Sequence, residues 1–113
     1  EAAASANAAR FELAAVQREI QGVADADMSN ALTRLNAWRS AEAAVHSTAE
    51  AAARTARGYD AGQVDLADLL FARRQTMDAR RAEIDARSEA ARALLKIQID
   101  SHTIWAPDHE HEE

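Results

Sequence analysis

The side chains that could do chemistry are few and far apart. His109 and His111 alternate with Asp108, Glu110, Glu112 and Glu113 at the C-terminal end, a mixture of imidazoles and carboxylates that can hold a divalent cation. Nothing in their surroundings preorganises them, so the expectation is incidental cation binding and no dedicated metal site. Asp100 and His102 stand two residues apart. On a helix that spacing places them on different faces, and they read as interfacial or capping residues. His46 lies beside an apolar stripe and is expected to face solvent. The absence of cysteine excludes disulfides and thiol chemistry. No nucleophile–base pair, phosphate-binding loop or paired catalytic carboxylates are recognisable. The sequence therefore predicts no enzymatic activity and no cofactor.

The distinctive segment is Gly58-Tyr59-Asp60-Ala61-Gly62-Gln63-Val64-Asp65-Leu66-Ala67-Asp68. Two glycines four residues apart bracket a tyrosine, and an Asp-x-x-Asp pair follows. Glycine tolerates positive φ, so Gly58 is expected to close one helix and Gly62 to turn the chain. Asp65 is placed as the N-cap of the next helix, with Asp68 at N3 as in a capping box. Two helices joined by a short tip make a hairpin.

The rest of the chain suits that arrangement. Alanine supplies about a quarter of the 113 residues, against 3 glycines and 1 proline, Pro107. Alanine loses no side-chain entropy in a helix, and the breakers are nearly absent. Large apolar side chains are sparse and only Phe11, Trp38, Tyr59, Phe71 and Trp105 are aromatic, an inventory for an elongated coiled coil with small interfacial residues. In the first helix a stripe runs Leu13, Val16, Ile20, Ala24, Met28, Ala31, Leu35, Trp38, Glu42, Val45, Ala49, Ala52, Ala56 and Tyr59, with Glu42 as its polar exception. In the second helix Leu66, Leu70, Met77, Ile84, Ala91 and Leu95 form one stripe. Ala72, Ala79, Ala82, Ala86, Ala90, Ala93 and Ile97 form another. Two stripes on one helix imply more than one neighbour, with the small-residue face as the additional surface for assembly. The fold class expected is all-α, a long antiparallel helical hairpin. Its parts are a first helix over 1–57, a tip over 58–64, a returning helix over 65–105 and a flexible acidic, His-containing tail over 106–113.

The net charge is −6, but four of those charges sit in the tail, leaving the body near −2 with both signs interspersed. No basic patch is present to neutralise a phosphate backbone, so nucleic-acid binding is not expected. The sequence shows no signal peptide, no long apolar run and no alternating membrane strand. It begins at Glu1 inside a helical pattern and reads as a segment of a longer protein.

The tip resembles that of the outer-membrane efflux protein family, the TolC-like channels. Family members carry Y-x-x-G after a long helix and then D-(V/L)-L-x-A; here Tyr59-Asp60-Ala61-Gly62 and Asp68-Leu69-Leu70-Phe71-Ala72 match both. Ala9-Arg10-Phe11-Glu12 and the region 24–35 are similar to the opening of the family's second long hairpin, and Ala72-Arg73-Arg74-Gln75 fits its returning helix. The resemblance covers about residues 8–105. The ending Asp100-Ser101-His102-Thr103-Ile104-Trp105 is similar to the D-x-H-x-x-W of the heavy-metal, CzcC-like branch.

This resemblance implies the second periplasmic hairpin of a channel subunit from a Gram-negative bacterium. The parent would be a homotrimeric tunnel inserted in the outer membrane, while this segment itself is soluble. The tip would meet a periplasmic adaptor whose partner is an inner-membrane pump, and metal cations or other small solutes would be exported. Gly58, Tyr59, Gly62, Gln63 and Val64 would form the adaptor contact; Tyr59, Asp68 and Phe71 would form the gate or tunnel entrance. A threefold ring of Asp68 carboxylates would favour cations. Phe71 occupies the position of a second acidic residue in the best-known members, which favours an apolar constriction. Val64 stands where some members carry a basic residue, which removes a salt-bridged lock. The alternatives are a non-transport structural coiled coil serving as a dimerisation module, or the hairpin of a periplasmic adaptor. Adaptor hairpins are flanked by lipoyl-type β segments, which do not occur here. The segment alone is expected to self-associate.

Overall fold

A computed structural model describes residues 1–105, with side chains through His102. The described chain is all-helical, an antiparallel hairpin of α1, Ala2–Asp60, and α2, Leu66–Trp105. Helix α1 runs for 59 residues and α2 for 40. Among the described residues no helix is long and apolar enough to cross a membrane. Two compact units share these helices: Leu32–Arg92, which contains the tip, and Glu1–Ala31 together with the described residues from Ala93 onward.

In the tip unit, the residues of α2 removed from solvent are Leu69, Ala72, Thr76, Ala79, Glu83, Ala86 and Ala90. Their steps alternate strictly between three and four, the seam of a two-helix coiled coil. The facing residues of α1 include Leu35, Trp38, Ala41, Val45, Thr48, Ala52 and Thr55. Small side chains set the spacing of such helices, because interaxial distance follows the side chains at the contact. Thr76 shows how near the backbones come. Its hydroxyl lies 3.2 Å from the carbonyl of Thr48 on the opposite helix and 3.2 Å from that of Ala72 in its own. Trp38 Nε1 donates to Glu83 Oε1 at 2.9 Å, and Arg34 pairs with Glu89. In the other unit the residues removed from solvent include Asp27 and Ala31 on α1 and Ala93, Ile97 and Asp100 on α2.

These seams correct two expectations. On α2 the small-residue stripe makes the intramolecular contact, while Leu66, Leu70, Met77, Ile84 and Leu95 remain about half exposed. Alanine permits the closer approach, so the larger side chains are left on the flank. On α1 the seam takes Asp27 and Ala41; Met28 is 53% exposed and Glu42 is exposed. Leu13 and Val16 also face solvent in place of packing on α2. Among the described residues the buried apolar ones are Ala31, Leu69, Ala90 and Ala93, so the hairpin depends on close contact between small groups.

Overpacking that seam tests the account. Ala90→Leu is expected to destabilise the hairpin by about 1–3 kcal/mol, because the added side chain must force the helices apart. Ala91→Leu, one position round on the exposed flank, is expected to change stability by less than about 0.5 kcal/mol. Urea unfolding followed by circular dichroism measures both.

Candidate functional site at the hairpin tip

The tip is built by a helix end and a helix start separated by few residues. Helix α1 continues through Gly58 and Tyr59 to Asp60, so Gly58 is a helical residue and does not close the helix as expected. Gln63 N–H donates to the Gly58 carbonyl at 2.8 Å, and Gly62 N–H donates to the Tyr59 carbonyl at 3.0 Å. This pair of bonds is a Schellman motif, with Gly62 at C′ in the left-handed region, φ +71°. Gly62 is therefore the residue that the turn requires. Gly58 serves differently: a methyl group there would meet both Val64 methyls at 3.4 Å, an ordinary contact. Val64 thus folds back over the last turn of α1 and is half-buried.

Asp65 then opens α2. Its Oδ1 accepts the backbone N–H of Asp68 at 2.9 Å, the N-cap to N3 bond that the spacing predicts. The carboxylate of Asp68 itself has no partner among the described residues, and it sits where the partial positive charge of the helix start favours an anion. The Tyr59 hydroxyl likewise makes no hydrogen bond within the described chain, and the residue is 40% exposed. Phe71 is 63% exposed, while Leu69 between Asp68 and Phe71 turns into the seam. The structure therefore brings the candidate residues together at one end of the hairpin. Gly62 and Gln63 form the turn, Tyr59 stands just before it, and Asp68 and Phe71 lie in the first turns of α2. Leu66 and Leu70 add exposed apolar surface that sequence reasoning had assigned to a packed stripe. Such an end can dock a partner by apolar contact and present carboxylates.

A second polar feature lies away from the tip and went unrecognised in the sequence. Asp27 is buried in the seam, and Lys96 Nζ reaches its Oδ1 at 2.8 Å and Asp100 Oδ2 at 3.0 Å. A groove of about 290 Å³ beside them is lined by Ile20, Val23, Ala24, Met28, Ile97 and Ser101, among others. The signal available was the strict three–four spacing of α2, which ends on Ile97 and Asp100. Hydrogen bonding with Asp100, and then with Lys96, holds the Asp27 carboxyl below its usual value of 3.8. Hydrogen bonding to Asp27 and then to Asp100 raises the Lys96 ammonium above 10.5. His46 is exposed and pairs with Glu50 at 3.3 Å. Among the described residues no group of three or more His, Asp or Glu side chains is arranged to hold a metal. His109, His111 and the rest of the tail lie outside the described residues.

No family model matches the chain, and neither curated proteins nor solved structures give a significant match.

Two measurements follow from this geometry. Gly62→Ala is expected to cost about 1 kcal/mol or more, because a side chain at positive φ is strained. Gly58→Ala is expected to be neutral or to stabilise by up to about 1 kcal/mol, since a helical glycine gains from the replacement. Urea denaturation separates the two outcomes. The charge cluster sets the pH response. Asp27 is depressed, so its contribution is present above 3.8 and is lost as pH falls through its folded value. Lys96 is raised, so its contribution is present below 10.5 and is lost as pH rises through its folded value. The stability difference between the native chain and Asp27→Asn should hold level at neutral pH and shrink below about pH 4, as read by denaturation at each pH.

Proposed function

We propose that this chain is the second periplasmic hairpin of an outer-membrane efflux channel subunit, a passive conduit within a tripartite export system. Its parent works as a homotrimer in the outer membrane of a Gram-negative bacterium, with a periplasmic adaptor and an inner-membrane pump. The cargo is metal cations or other small solutes, and the D-x-H-x-x-W ending favours metals.

The observation that carries this reading is the position of the motif. Tyr59-Asp60-Ala61-Gly62 and Asp68-Leu69-Leu70-Phe71-Ala72 flank the turn of a helical hairpin, the place that the efflux family's tip motif occupies. The chemistry suits a mouth that opens and closes. The Tyr59 hydroxyl and the Asp68 carboxylate are both uncommitted among the described residues, so each is available to a neighbouring subunit or to a passing cation. Phe71 adds an exposed ring that closes by packing. Energy comes from the pump; the hairpin contributes a path and a gate.

A second reading is a structural coiled coil without a transport role. The half-exposed row Leu70, Met77 and Ile84 favours it, because an assembly module also needs an apolar flank.

The two are separated in cells carrying the full-length protein. Tyr59→Phe and Asp68→Asn are expected to loosen the closed mouth, raising uptake of a large antibiotic and altering metal resistance several-fold at unchanged protein level. Unchanged permeability and resistance in both variants would remove the gate assignment.

A further inference from the structure

The groove beside Asp27 lies wholly within the unit formed by Glu1–Ala31 and the described residues from Ala93 onward. At about 290 Å³ it is at the lower end of the volumes that hold an organic ligand, and such sites recur between the helices of bundles. Ile20, Val23 and Met28 of α1 and Ile97 of α2 give it apolar walls. Among the described residues its charged lining is two carboxylates, Asp27 and Asp100, while Gln21 and Ser101 are polar and neutral.

Lys96 is not part of that lining. Its Nζ meets one oxygen of each carboxylate, Asp27 Oδ1 at 2.8 Å and Asp100 Oδ2 at 3.0 Å. One ammonium therefore serves two anions, and the cluster keeps a net negative charge. An ionised carboxylate accepts on both oxygens, so Lys96 does not exhaust either of them. Asp27 is only 7% exposed, and hydrogen bonding with Asp100 and Lys96 holds its carboxyl below 3.8, which leaves it ionised at neutral pH. A carboxylate so far removed from water is costly unless positive charge balances it. Lys96 must divide its own between two.

We propose that this groove binds a small organic cation, a single ammonium carried on an apolar body. The ammonium lies against Asp27 and Asp100 and balances the charge that Lys96 leaves over. The body packs on Ile20, Val23, Met28 and Ile97, where the flexible methionine accommodates more than one shape. An anion of the same shape would face two carboxylates and no basic side chain of the lining. A neutral analogue keeps the apolar contact and loses the charge-assisted hydrogen bonds. The assignment stands independently of the efflux reading, which rests on the tip.

Three probes of one shape test it on the 113-residue chain by titration calorimetry: phenylbutylammonium, phenylbutanol and phenylbutyrate. The ammonium is expected to bind with a Kd of about 1 mM or tighter, a reachable affinity for a ligand of this size. It should bind at least about tenfold more tightly than the alcohol, and the carboxylate should bind more weakly still. Backbone amide shifts on adding the ammonium should concentrate in residues 20–28 and 97–101. Val23→Lys places an ammonium of the chain's own at the groove from an exposed position, and should weaken binding about tenfold with the helical circular dichroism unchanged. Asp100→Asn leaves the buried Asp27–Lys96 pair in place and should also weaken binding several-fold. Equal affinity for the three probes, shifts centred elsewhere, or affinity untouched by both variants would overturn the proposal. Failure of the ammonium to bind at about 10 mM would overturn it too, and leave the groove to a lysine or arginine side chain of a protein partner.

Discussion

Close approach of α1 and α2 through alanine-sized contacts is the constraint on which the other features depend. A hydroxyl on Thr76 can reach the carbonyl of Thr48 only if the backbones are near, and Ala72, Ala79, Ala86 and Ala90 keep them so. Once the seam is filled by small groups, larger residues have no place in it. Met77, Ile84 and Leu70 therefore fall on the flank, and a groove lies beside Ala49 and Ala52 because the alanines leave its floor shallow. A thin core also gives the few polar contacts across the seam more weight. Trp38 with Glu83, and Asp27 with Lys96, are specific where alanine against alanine is not.

The tip follows from the same economy. Two helices this close need a short connection, and the Schellman motif ends α1 while the Asp65 cap begins α2 after few intervening residues. The N–H groups of Ala61, Gly62 and Gln63 are bonded back to the last turn of α1, and Asp65 caps the Asp68 N–H. Tyr59, Asp68 and Phe71 thus stand on helical turns at either side of a hydrogen-bonded connection. That arrangement suits recognition by a partner, since little conformational freedom remains to be lost on binding.

Much of the fold was legible in the sequence. Helix content, the hairpin turn and the Asp65 cap follow from local chemistry: the scarcity of Gly and Pro, the φ demanded of Gly62, and the spacing of Asp65 and Asp68. The choice between the two α2 stripes was not legible in the same way. Hydrophobicity ranks Leu70 and Met77 above Ala72 and Ala79, yet close packing favours the smaller residues, and only the regular three–four spacing from Leu69 to Asp100 marks the correct face. Gly58 was misread because two glycines stood near the turn and only one is needed: Gly62 supplies the positive φ that ends α1, so the helix runs on through Gly58 to Asp60. Tyr59, Asp68 and Phe71 were singled out through motif and spacing, and the structure places them at one end of the hairpin, whereas Asp27 and Lys96 were missed because a charge in a seam contradicts the hydrophobic pattern of a seam.

The polar contacts across the seam also bear on register, unit by unit. In the tip unit Arg34 pairs with Glu89 and Trp38 donates to Glu83. In the other unit Lys96 holds Asp27. A heptad slip of one helix past the other returns seam positions to seam positions, so alanine packing alone ranks the registers poorly. Each of these contacts is broken by such a slip, and together with the small seam they single out one register among those the alanines would accept.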